Sequence, residues 1–328
     1  MTIKLTLGTW ISHDNMLLSA ARYHAHRTGQ KIAFECVPEG GLPLATFLLE
    51  AEGRRMFLDY NDRYELDPAG ADADVYAKRS LRPEAVTARV LPLGFHFNYS
   101  FELHHLLAHR GFLSLKNRTE ILRCVDFTGR TGWSHFERRV HHLFTPPVDH
   151  GGRVIFYVRL WEPARNRDPE EQERRRKMNL VRVEAVRALR KLENTAAGII
   201  PDDFAHGMCP DLLLSPHQTT SKAYGAELRR ADIGVANEGL RGSPGWKIGE
   251  YVAGGKAVLS NTIESVIPGF EVGTNYLRFD DPREIPDLVR ALRKDGSYRA
   301  MQAANWQYTV EHLHPDRYLP RILERLLG

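Results

Sequence analysis

Long apolar runs are missing from this sequence, and so is any patterned use of cysteine. No stretch of eighteen or more consecutive apolar residues occurs, so no segment reads as a membrane-spanning helix. Its three cysteines, Cys36, Cys124 and Cys209, lie far apart with no CxxC among them. That excludes a disulfide framework and a zinc knuckle, and it reads as buried thiols in a reducing compartment. The opening MTIKLTLGTW lacks the basic start, long apolar stretch and small-residue cleavage site of a secretory leader, so a cytoplasmic protein is expected. A dominant charge is missing too. The net charge of +4 is mild and evenly spread, which does not call for nucleic acid. The densest basic run, Arg174 to Lys177, follows Glu170, Glu171 and Glu173, as on a solvated helix face.

Several catalytic signatures are absent as well. There is no GxSxG, no GxxxxGK[ST] and no early GxGxxG. Serine hydrolase, P-loop kinase and ordinary dinucleotide dehydrogenase therefore fall behind. Among the histidines, His105 and His109 have the i,i+4 spacing of a two-histidine site, but no HExxH accompanies them and no third ligand can be named. No metal site is expected.

What is present is an ordinary globular composition, 42% hydrophobic and 26% charged over 328 residues, long enough for two domains. The first part predicts a strand at Ile3–Leu7, a helix over Met16–His26 stopped by Gly29, and a strand at Lys31–Val37. Ala45–Tyr60 reads as a hairpin turning at Glu-Gly-Arg-Arg, and further strands are expected at Val86–Leu93 and Ile121–Phe127. Thr145–Gly152, with two prolines and two glycines, marks a hinge. Boundaries follow at 1–148 for an acceptor-side α/β domain and 149–328 for a second α/β domain with closing helices.

The second part alternates strand and helix in the manner of a doubly wound parallel sheet. Strands are predicted at Arg153–Leu160, Ala197–Ile200, Ile233–Ala236, Ala257–Ser260 and Tyr276–Phe279. Asp168-Pro169 starts a long helix with Asp as its cap and Pro in the first turn. The chain should close with helices at Ser297–Leu313 and Pro315–Leu327. The fold class expected is α/β, with two Rossmann-like domains facing a cleft.

One segment concentrates the chemistry. Between a predicted strand end at Ala236 and the strand at Ala257 lies a glycine-rich loop, with Ser243 as expected N-cap, Pro244 as first helical residue and Gly254-Gly255 as the stop. Backbone N–H groups across Gly242, Ser243 and Gly245, with the positive end of the helix dipole, make an anion site. Glu250 follows Ser243 by seven residues, two turns along one face, where it reaches a ribose whose phosphate sits at the helix start. Arg159 lies at the end of the first predicted strand of this part, beside the loop ends where a ligand of such a sheet is expected. In the first part, Lys78 and Arg79 after an apolar pair, His96 in an exposed-looking polar stretch, and Arg130 between two glycines are candidates for the acceptor or an anion.

Lys247-Ile-Gly-Glu250-Tyr-Val-Ala-Gly-Gly-Lys256-Ala-Val-Leu-Ser260 resembles the K-x-x-E-Y-x-A-x-G-K-x-V-x-S segment of group 1, family-four-like glycosyltransferases of the GT-B fold, and of the related spore-coat and capsule glycosyltransferase-like proteins. The likeness extends more loosely from Val154 to the C-terminus. It implies that Glu250 hydrogen-bonds the donor ribose, that the helix start faces the diphosphate, and that Arg159 occupies the place of the G-R-L arginine. It implies a retaining, metal-independent transfer from a nucleotide-sugar donor to a saccharide or other hydroxyl acceptor, with no further cofactor. Two departures stand out. Gly242 occupies the place of the first glutamate of the E-x7-E pattern, with Glu238 the nearest acid, and the lysine after the arginine has no direct counterpart; Arg165, Arg167 and Lys222 are the available cations. A nucleotide-sugar epimerase, a phosphorylase on the same scaffold and a catalytically silent sugar- or nucleotide-binding module remain as alternatives.

Overall fold

The computed structural model describes residues 2–8, 11–37, 41–99 and 143–328. The expected strand at Ile121–Phe127, Cys124, Arg130, His105 and His109 lie outside them. Two compact units divide the chain: residues 1–143 with 264–268 and 310–328, and residues 144–263 with 269–309. Among the described residues no helix is long and apolar enough to cross a membrane.

In the first unit, β1 (Ile3–Leu7) and β2 (Ile32–Cys36) flank a helix over Asn15–Thr28 that ends on left-handed Gly29, φ 72°. β3 (Thr46–Ala51) and β4 (Arg54–Asp59) form the expected hairpin. Its two turn residues, Glu52 and Gly53, both have positive φ, the turn whose twist suits two-residue hairpins. β5 (Val75–Lys78) and β6 (Val90–Pro92) complete a sheet of order β2-β1-β3-β4-β5-β6. The strand expected over Val86–Leu93 is shorter because Pro83–Ala85 turns just before it. β3 runs antiparallel to both neighbours and the other pairings are parallel, so the sheet is mixed rather than of pure Rossmann type. The hairpin is the cause: its tight turn forces one strand to run backwards between β1 and β4. The helix Pro315–Leu327, last in the chain, packs on the Asn15–Thr28 helix and on β3 and β4.

The second unit is regular. β7 (Val154–Val158), β8 (Thr195–Ile199), β9 (Ile233–Ala236), β10 (Ala257–Ser260) and β11 (Tyr276–Arg278) pair in parallel throughout, in the order β11-β10-β9-β7-β8. Strand order therefore reverses between β7 and β9, the switch point at which doubly wound sheets open a crevice beyond their carboxyl ends. Asp168 caps the Pro169–Leu189 helix through Glu170 N–H as expected. That helix and Ile285–Asp295 pack together, and their Val183, Val186, Ile285 and Val289 join the core formed with Val154, Ile233 and Ala257. Residues 149–152 are bound into this unit: Asp232, fully buried, accepts from the N–H of His150 and Arg153, and Asp149 accepts from Tyr298 Oη at 2.6 Å.

The opposite sheet face carries Gly234 beside Ile155 and Val258. The helix Trp246–Ala253 presses Tyr251 against that glycine, where an added Cβ would lie 2.3 Å from the ring. Only glycine admits so close a seat. Gly234→Ala should therefore lower stability by roughly 1–3 kcal/mol through overpacking. A urea midpoint unchanged from wild type would show that the helix does not sit so tightly on β9.

Candidate functional site

The two strands at the switch point are tied together at their exits by one side chain. Arg182, buried on the Pro169–Leu189 helix, donates from Nη1 to the Arg159 carbonyl at 2.6 Å, from Nε to Asn237 Oδ1 at 3.0 Å and from Nη2 to the Glu238 carbonyl at 3.1 Å. Burial pulls its pKa down to about 9, against the charge of Glu238, so it remains a cation at neutral pH. One turn earlier, Asn179 accepts from Trp161 N–H and donates to the Trp161 carbonyl. Arg174 pairs with the Glu238 carboxylate at 3.0 Å, and Glu171 accepts from Arg241 N–H at 3.2 Å. One helix face thus fixes both loops that rim the crevice.

The glycine-rich loop follows β9 and folds back on itself. Gly239 N–H donates to the Ser243 carbonyl at 2.7 Å, and Arg241 adopts a left-handed backbone, φ 57°. Such a conformation costs on the order of 1–3 kcal/mol for a residue with a side chain, and it persists here inside the hydrogen bond to Glu171 and an Arg241–Asp168 pair at 3.5 Å. A Cβ on Gly245 would lie 2.7 Å from the Asn237 carbonyl, and one on Gly239 would meet the Ser243 hydroxyl at the same distance. Both glycines permit the loop to close onto the strand exit.

The helix start departs from expectation. Leu240–Gly242 forms a separate short turn that Ser243 ends, Gly245 is the N-cap, and the helix runs Trp246–Ala253. Gly245 rather than Ser243 occupies the N-cap position, and Pro244 precedes the first turn; the close contact of Gly245 with the Asn237 carbonyl sets where the backbone begins to coil. Gly242 and Ser243 are buried within the loop, and Gly245 stands at the helix entrance.

Glu250 is buried, with 3% exposure, and Tyr224 Oη donates to its Oε2 at 2.6 Å. Tyr224 belongs to the helix Ser221–Arg230, capped by Thr220 through Ala223 N–H. Lys247, three residues before Glu250, holds its Nζ 4.3 Å from the centre of the Tyr224 ring, and Tyr157 of β7 packs its ring 6.2 Å from the same ring. The structure therefore brings Glu250 and Lys247 together around Tyr224, a residue the sequence did not single out. Its one signal was position: it lies two residues beyond Lys222, in a helix ahead of β9. Lys222 is exposed in that helix's first turn. Arg159 is exposed at the exit of β7, its guanidinium 5.9 Å from the Trp161 ring, and it makes no ion pair among the described residues.

In the first unit, Lys78, Arg79 and His96 are buried to 1% exposure or less, so the stretch read as exposed is not. Their partners explain it. Lys78 Nζ pairs with Asp59 at 2.8 Å, and that carboxylate also accepts from Tyr76 Oη; Arg79 pairs with Asp62 at 2.5 Å. Burial lowers the Lys78 pKa against the pull of Asp59, and it holds His96 well below the usual histidine range. His13, which no sequence motif marks, stacks on His96 with ring centroids 5.4 Å apart, and burial first and Arg79 second bring its pKa to about 4. Both imidazoles are neutral at physiological pH. Among the described residues no group of three His, Cys, Asp or Glu side chains is placed to hold a metal ion.

No protein-family model and no curated protein matches the chain. Among solved structures, a glycosyltransferase from Rickettsia africae ESF-5 is 11% identical with a TM-score of 0.39, covering 98% of this chain and 96% of that one. Anabaena Alr3699/HepE in complex with UDP is 11% identical with a TM-score of 0.39, over 98% and 99% of the two chains. The C-terminal domain of a glycosyl transferase group 1 family protein (LpcC) from Francisella tularensis is 14% identical with a TM-score of 0.33, covering 51% of this chain and 94% of that one.

Lys256, after Gly254-Gly255, is buried with 4% exposure, its Nζ 3.4 Å from the Arg229 carbonyl. Burial lowers its pKa from 10.5 to about 8, with Asp232 pulling the other way. The folded state thus releases this proton more readily than the unfolded chain. Below about pH 8 both states hold it and stability does not vary on its account; from 8 to 10.5 the unfolded chain binds more protons, so stability rises with pH. Lys256→Met should remove that rise and should be at least as stable as wild type at pH 7, by on the order of 1–3 kcal/mol. Parallel urea titrations of the two proteins across that window would expose a contrary result as a flat difference.

Proposed function

We propose that this chain is a glycosyltransferase of GT-B type that moves a sugar from a nucleotide-sugar donor to a saccharide or other hydroxyl acceptor, working in the cytoplasm. The second unit takes the donor. The observation that carries this reading is Glu250: a buried carboxylate on the helix that follows the glycine-rich loop, beside the switch point of an open parallel sheet. Ligands of such sheets bind beyond the strand carboxyl ends. A diphosphate at the start of Trp246–Ala253, where glycine stands at the N-cap, meets the positive end of the helix dipole. Arg159, exposed at the exit of β7, supplies a second positive group there. The ribose then lies toward Glu250, whose carboxylate accepts from its hydroxyls. The segment from Lys247 to Ser260, with its resemblance to group 1 glycosyltransferases, supports the same assignment.

Leaving-group charge on the diphosphate is stabilised in this scheme by backbone dipole and arginine rather than by a divalent cation. Transfer with retention follows from the resemblance. The acceptor falls to the first unit, where Lys78, Arg79 and His96 shape the buried polar end of β5 and the stretch after β6, and Arg130 belongs to the same proposed side.

Glu250→Gln keeps the shape and removes the charge of a charge-assisted bond. Nucleotide-sugar affinity should fall roughly ten- to a hundredfold, and Glu250→Ala should lose more while the fold survives. A lowered melting temperature with unchanged affinity of the folded protein would make Glu250 a structural partner of Tyr224 and nothing further. Turnover of a nucleotide-sugar panel, with and without acceptors, separates a transferase from an epimerase, which needs no acceptor, and from a silent binding module, which does not turn over. Activity should persist in EDTA; loss restored by manganese would refute the metal-independent scheme.

A further inference from the structure

Tyr224 joins β7 to the helix that carries Glu250. Its ring faces Tyr157 of β7, its hydroxyl donates to Glu250 Oε2 at 2.6 Å, and the Lys247 ammonium sits 4.3 Å above its ring. Lys247 and Glu250 are three residues apart and therefore share a helix face. A bond of 2.6 Å to a carboxylate is of the short, charge-assisted kind. The phenol is rigid and its helix is anchored by the Thr220 cap, whereas a glutamate side chain has three rotatable torsions. We propose that Tyr224 is a positioning residue of the donor site, holding the Glu250 carboxylate in the rotamer that receives the ribose hydroxyls, with Lys247 fixing the phenol from above. This rests on the donor reading of Glu250.

The consequence is a chain of dependence from residue 224 to the ribose and no further. A donor lacking both ribose hydroxyls has nothing for Glu250 to hold, so it should be blind to whether the carboxylate is held in place. The phenol and the hydroxyls should therefore be coupled, although they belong to different molecules. A residue that merely supported the local fold would affect both donors alike.

The test measures binding of UDP, GDP and ADP, and of their 2′,3′-dideoxy counterparts, to wild type, Tyr224→Phe, Glu250→Gln and the double variant. Tyr224→Phe keeps the ring under Lys247 and removes only the hydroxyl. It should weaken the best-bound ribonucleotide about three- to tenfold, and it should leave the dideoxy analogue within about twofold of wild type. In the double variant the loss should be no greater than in Glu250→Gln, because both changes break one unit. Equal losses toward ribo and dideoxy nucleotides, full additivity with Glu250→Gln, or no loss in Tyr224→Phe would overturn the positioning role. If Glu250→Gln itself leaves ribonucleotide affinity intact, or if no ribonucleotide binds wild type, the donor reading fails and takes this role with it. The first set of outcomes leaves the donor reading standing, so the two failures are distinguishable.

Discussion

A single guanidinium holds the second unit's crevice in shape. Arg182 spends its donors on the Arg159 carbonyl, the Glu238 carbonyl and the Asn237 side chain, all at the exits of β7 and β9. A buried cation is costly unless every donor is matched, and carbonyls at strand ends are the acceptors nearest to hand. The match works both ways. Strand exits at a switch point diverge into separate loops, so their last carbonyls have no ladder partner; the arginine supplies one to each. Arg174, Glu171 and Asn179, on the same helix, extend this grip along both loops. The glycines then act within a frame already set: Gly245 lies against Asn237, which Arg182 orients, and from there the Trp246–Ala253 helix departs with Glu250 on it.

Buried cations find two kinds of partner in this chain. In the first unit, cations meet carboxylates directly: Lys78 with Asp59, Arg79 with Asp62, and two stacked imidazoles kept neutral by burial. In the second unit, Arg175 pairs with buried Glu171 in the same way, but Arg182 and Lys256 meet mainly backbone carbonyls, and Arg159 faces solvent. Carbonyl-matched arginine leaves its positive charge only partly cancelled, and exposed Arg159 adds to it at the same strand ends. The paired charges of Lys78 and Arg79, by contrast, close on their carboxylates.

Much of the second unit was legible because its signals are local. Asp168-Pro169 caps and starts a helix by chemistry contained in consecutive residues, and the strands at Ile233–Ala236 and Ala257–Ser260 are short apolar runs bounded by glycine or charge. Ser243-Pro244 carries an equally good local signal for a helix start, yet it closes a separate turn. The deciding contact there, Gly245 against the Asn237 carbonyl, is made across the loop. Lys78 and Arg79 read as candidate ligand contacts because their carboxylate partners, Asp59 and Asp62, lie seventeen to nineteen residues away, brought near only by the β4–β5 pairing. Tyr224 was invisible for the same reason: a tyrosine in an amphipathic helix has no distinguishing neighbour in sequence, and its 26-residue reach to Glu250 exists only in the folded unit. The antiparallel strand followed from a turn that was read correctly; its effect on the whole sheet was not.

The helix Pro315–Leu327 bears on how this protein is made. It packs on elements formed from residues 15–59, and Tyr318 meets the Tyr60 hydroxyl at 3.0 Å, 258 residues earlier in the chain. A ribosome translating this message releases the first unit's strands early and the helix that covers them last. Throughout synthesis of the second unit, the nascent first unit therefore waits with the seat of Leu319, Ile322 and Leu326 uncovered. A premature stop codon that spares the whole second unit would still release a protein whose first unit is unfinished.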